Sequence, residues 1–149
     1  MAEVYTDLRR QVLDVTPEQI GVGGAPIVAL LMETGYPEAV ATLVAVADGT
    51  TSLYFSNGGG IIGAGAHETV AAANRRWLET AAEFLPQLAA VAEPPPPAEG
   101  MTQFVAVTRG GLRGHTAPET ELGEGAHPLA PLFHAGQDVI TQIRLVEGG

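Results

Sequence analysis

The chain has 149 residues, 46% of them apolar, and a formal net charge of −10. That length and apolar content predict one domain with a real core, spanning 1–149, and exclude general disorder. The acidic balance argues against nucleic acid as a partner, and the absence of cysteine rules out disulfides, a thiol nucleophile and a thiolate metal site.

At the amino terminus, Met1–Asp7 lacks the basic and apolar regions of a secretory leader. No apolar run reaches the roughly 18 residues of a membrane-spanning helix. A cytoplasmic protein with no membrane association is therefore expected. Glu3–Leu13 reads as a helix. Val4, Tyr5, Leu8, Val12 and Val15 recur at helical spacing, with Asp7, Arg9, Arg10 and Gln11 on the other face. Thr16-Pro17-Glu18-Gln19 has the residues of a capped helix start, and Gly21, Gly23 and Gly24 should stop that helix within a turn or two.

Pro26–Thr34 is short and apolar and fits a strand, although its Leu, Met, Ala and Glu would also suit a helix. Gly35–Glu38 is a turn, Ala39–Ala47 a strand, Asp48-Gly49 a hairpin turn and Thr51–Ser56 a third strand. Leu53 and Phe55 alternate with Ser52, Tyr54 and Ser56 along it. Glycines 58, 59, 60, 63 and 65 follow. Then comes a long amphipathic helix over Ala66–Leu85, with Trp77 as its anchor and Pro86 at its end.

Residues 93–100, EPPPPAEG, form a stiff extended connector. Met101–Thr108 and Leu112–Ala117 are two more strands, the second polar enough to lie at a sheet edge. Thr120–Gly125 is an acidic loop, and His127-Pro128 opens a last helix in which Gly136 is a weak point. The expected order is α-β-β-β-α-β-β-α. That is an α+β fold: a single antiparallel sheet of about five strands flanked by helices. In layout it resembles small profilin-like or roadblock-type domains.

The glycine stretch is the main candidate site. Gly58-Gly59-Gly60-Ile61-Ile62-Gly63 matches G-x-G-x-x-G between a strand and a helix, a setting in which backbone N–H groups can approach an anion. The acidic residue a dinucleotide site needs about 20 positions on would be Glu83, which falls in a helix, and hairpins replace the parallel units such a site requires. No cofactor is expected. What remains is a sharp strand-to-helix corner. A small anion or other small molecule could bind there through Ser56, Asn57, Gly58, Gly59, Gly60, Gly63 and His67, with Arg75 and Arg76 in reach. Ile61 and Ile62 are apolar in a loop, which marks a contact surface or a plug for the core.

His127 and His134 are seven apart, and His134 and Asp138 are at i, i+4. A metal would need a third ligand from His67 or His115. A cap at His127 and a local His134–Asp138 pair are the simpler reading, and no metal site is expected. Ser56 lacks a nucleophile elbow and any ordered acid–base partner. The leading expectation is a non-enzymatic protein-interaction domain acting as a homodimer. Second is a small-molecule or anion-binding domain using loop 56–67, and third is a hydrolytic enzyme.

Overall fold

The computed structural model describes residues 2–21 and 24–148. Gly23, expected to help stop the second helix, lies outside the described residues. The elements are α1 (Glu3–Leu13), α2 (Pro17–Ile20), β1 (Ala29–Gly35), β2 (Val40–Val46), β3 (Thr51–Phe55), β4 (Gly60–Ile61), α3 (Glu68–Phe84), β5 (Ala89–Val91), β6 (Met101–Thr108), β7 (Gly111–Pro118), α4 (Glu119–Gly123) and α5 (Ala130–Gly148). Short 3-10 turns at Ala64–Ala66 and Leu85–Gln87 flank α3. No helix among the described residues is long and apolar enough to cross a membrane.

The fold is α+β, with one antiparallel sheet between helices. Its order is β4-β3-β2-β1-β6-β7-β5, seven strands rather than about five. The two additional strands, β4 and β5, have two and three residues, too few to show any alternation in sequence. The expected meander is present as β1–β2–β3. β1 lies at the centre of the sheet with every residue buried. Covered on both faces, it shows no alternation, and that is why its sequence suits helix and strand equally. The polar strand β7 is not the outermost along its whole length: β5 covers Leu112–Gly114, leaving His115–Pro118 at an open edge.

α3 and α5 cover one face over Leu30, Met32, Leu43, Leu53 and Phe104. Trp77 is fully buried, and its indole N–H donates to the Leu132 carbonyl of α5 at 3.1 Å. Gly136 lies where the helices cross: a Cβ there would come within 2.8 Å of the Met32 thioether and 3.1 Å of Trp77 Nε1. The apparent weak point of the last helix is thus a close-packing site.

α1 covers the other face, over Leu31, Val44, Val46, Tyr54, Val105 and Val107. Its buried stripe is rotated from the expected one. Tyr5 and Arg9 face the sheet, whereas Val4 is 53% exposed. The connector 93–100 crosses this face beside α1. It ends in tight contact with β1, where Gly100 N donates to Gly35 O at 2.8 Å. The expected Thr16–Gln19 capping box is complete: Thr16 Oγ1 accepts from Gln19 N, and Gln19 Oε1 accepts from Thr16 N. The acidic segment at 120–125 is a short helix over most of its length, not a loop.

Candidate functional site

The glycine triplet does not send β3 directly into a helix. It builds a hairpin: Gly58, at φ +106°, donates to Phe55 O, and Phe55 N donates to Gly59 O, so that β4 pairs back on β3. Gly60 is needed for this approach, because a Cβ there would come within 2.8 Å of Leu53 O. The turn towards α3 comes later, at Gly63 (φ +78°) and the 3-10 turn. Gly65 there packs against Gly49 of the β2–β3 turn so closely that a Cβ would collide with the Gly49 carbonyl.

The expected ligand-binding residues are brought together, but mostly as parts of this turn. Ser56 is buried, and its hydroxyl accepts from Val40 N at 2.8 Å. Its own N–H and carbonyl are engaged with Val40 O and Ala2 N. Asn57 is exposed and accepts from Gly59 N at 3.4 Å. Gly63 N donates to Ser52 Oγ at 3.3 Å, and His67 N donates to Ala64 O. The His67 side chain is exposed at the start of α3 and makes no capping bond. An anion arriving here would compete with partners that several of the loop N–H groups already hold. Arg75 and Asp48 both line the 380 Å³ cleft beside Gly63 and Gly65, so charges of both signs meet there.

On its other side the hairpin meets α1 around a small crevice of 110 Å³, lined by Val4, Leu8, Phe55, Ile62 and the three glycines. Among the described residues no charged side chain lines it. Val4 and Ile62, at 53% and 67% exposed, are among the few large apolar side chains of the described residues left open to solvent.

A second cluster was not anticipated from the sequence. Glu33, in the middle of β1, is fully buried on the face under α1. The register sets Thr42 on one side of it and Gln103 on the other. Its Oε2 accepts from Arg9 Nε at 2.6 Å and Thr42 Oγ1 at 2.9 Å. Its Oε1 accepts from Arg9 Nη2 at 2.8 Å and Gln103 Nε2 at 3.1 Å. Tyr5 OH lies 2.8 Å from Thr42 Oγ1 and 3.5 Å from Glu33 Oε2. Arg9 and Gln103 also donate to the Pro94 and Pro95 carbonyls, at 2.7 and 2.9 Å. Burial, aided by the charge of Glu33, pushes the Tyr5 hydroxyl pKa up to about 12. Burial works against the Arg9 charge, but the hydrogen bonds and charge of Glu33 outweigh it and raise the guanidinium pKa. The cluster therefore joins α1, three strands and the connector, with its hydrogen-bonding capacity spent inside the fold. A lone carboxylate in an apolar strand was the one available signal for it.

The histidines separate. α5 begins at Ala130, so His127 and His134 do not share a helix. His127 caps instead: its Nδ1 accepts from Leu129 N at 3.0 Å, and its ring lies 5.2 Å from that of His115. His134 packs edge-on against Phe133, while Asp138 pairs with Arg76 at 3.3 Å across to α3. Among the described residues no three His, Cys, Asp or Glu side chains converge as a metal site would require. Comparison with protein-family models, with curated proteins and with solved structures gives no match in any of the three.

Proposed function

We propose that this protein is a non-enzymatic interaction domain that works in the cytoplasm as a homodimer, through the apolar surface where α1 meets the glycine hairpin. The carrying observation is the exposure of Val4 and Ile62 beside a charge-free crevice, in a chain of net charge −10. Contiguous exposed apolar groups mark contact surfaces. Two acidic copies meet most readily where neither presents charge. The rest of the molecule fits this reading. Ser56 and Glu33, the groups best placed in sequence and burial for chemistry, hold the fold together through bonds to Val40, Arg9, Thr42 and Gln103.

Size-exclusion chromatography with light scattering tests the proposal. A dimer at micromolar concentration is expected, with Ile62→Asp converting it to a monomer whose circular dichroism is unchanged. A wild-type chain that stays monomeric throughout that range, or an Ile62→Asp chain that stays dimeric, would refute it.

A further inference from the structure

The His115–His127 pair lies outside the surface just described and has no part in the Glu33 cluster. His127 stands three residues before α5, and Pro128 behind it has no N–H. The first backbone donor of that turn is therefore Leu129 N, on a residue 1% exposed. Its acceptor is His127 Nδ1 at 3.0 Å. This bond requires a neutral imidazole with its lone pair on Nδ1 and its hydrogen on Nε2. A proton from solvent adds to that same Nδ1 lone pair, Nε2 keeping its hydrogen, and two N–H groups then face each other. A metal ion on Nε2 would be no better accommodated, because a neutral metal-bound imidazole carries its hydrogen on Nδ1.

The His115 ring, presented by β7, lies 5.2 Å from that of His127, so two imidazolium rings would repel. Burial and the charge of His127 lower the His115 pKa. On the elements that carry or flank the pair, the ionisable residues are Arg113 on β7, Glu119 and Glu121 on α4, Glu124 just past it, and His134 and Asp138 near the start of α5. Among the described residues no carboxylate lies within ion-pairing distance of either ring, and Asp138 is turned to Arg76.

We propose that the His115–His127 pair is a pH-sensitive latch on the first turn of the last helix: proton uptake withdraws the Leu129 hydrogen bond and loosens that turn from the sheet. The turn includes Leu132, whose carbonyl accepts the Trp77 indole N–H. The chain has only one tryptophan, so its fluorescence reports on the latch. The sign follows from the bond itself, because the Nδ1 lone pair that accepts from Leu129 N exists only on the neutral ring. The lowered pKa of His115 acts in the same direction: the stability it contributes is present above the ordinary histidine pKa and is lost as pH falls through the lowered one.

The test compares wild type with His127→Asn and His115→Asn between mildly alkaline and mildly acidic pH. It reads Trp77 fluorescence and hydrogen exchange at the Leu129 amide. In His127→Asn the new side chain places an amide oxygen where Nδ1 now sits and does not titrate. Expected are a reversible acid transition in wild type, with Leu129 protection falling roughly fivefold, the size of losing one helix-capping bond. The transition is expected to disappear in His127→Asn and to move to higher pH in His115→Asn. No acid transition in wild type, or one that persists in His127→Asn, which keeps His67 and His134, would overturn the proposal.

Discussion

Glu33 holds one carboxylate among four side chains under α1, fully out of solvent. Removing one partner of such a pair leaves the other as an uncompensated buried charge, which typically costs about 3–5 kcal/mol, whereas replacing both with apolar groups of similar volume can be nearly neutral. Glu33→Gln and Arg9→Met should each lower stability by about that much in urea unfolding. The double change Arg9→Met with Glu33→Met should cost less than either alone. Additive losses would show that the two side chains act independently. At this scale the sequence was least informative. Arg9 sits in a helix whose apolar positions also allow a stripe through Val4, and only the strand register brings Thr42 and Gln103 beside Glu33.

Among the elements, the longer ones were legible because each carries its own period or cap. The Thr16–Gln19 box, the Asp48-Gly49 turn and the Trp77 stripe needed no tertiary information. β4 and β5 were not legible, because strands of two and three residues exist only through pairing with β3 and β7. The glycine stretch turns the chain between β3 and α3, but not as the single corner its spacing suggests. Its spacing marks backbone freedom and cannot distinguish a hairpin followed by a 3-10 turn from a single corner. That difference can be tested at Gly65. A Cβ there runs into the Gly49 backbone carbonyl, which cannot swing away as a side-chain tip can. Gly65→Ala should therefore cost about 1–3 kcal/mol, the usual range for overpacking. Gly110, in the exposed β6–β7 turn, meets nothing nearer than the Thr108 hydroxyl at 3.9 Å and has no left-handed φ to preserve. Gly110→Ala should stay within about 0.5 kcal/mol of wild type, as surface changes do. Thermal melts of the pair make the comparison, and equal effects would mean that the Gly65–Gly49 contact does not constrain the fold.

For the whole molecule the governing quantity is charge. Each copy carries −10, and Arg9, one of its seven basic residues, is committed to a buried pair. Two copies approaching through a surface without charge gain from apolar burial and are opposed by the long-range repulsion of everything around it. Salt acts on the second of these. Raising ionic strength from about 0.01 M to about 0.15 M shortens the screening length from about 30 Å to about 8 Å. The repulsion between the copies is then largely confined to charges at the rim, while apolar burial is little affected. The proposed dimer should therefore tighten with added salt, and sedimentation equilibrium across that range should show the dissociation constant falling. A contact built from ion pairs would respond in the opposite direction, because screening weakens the attraction that holds it. Chloride and acetate salts at equal ionic strength should give the same trend, since screening depends on ionic strength and not on the identity of the anion. A dimer that weakens in salt would move the interface from Val4 and Ile62 to a surface with paired charges.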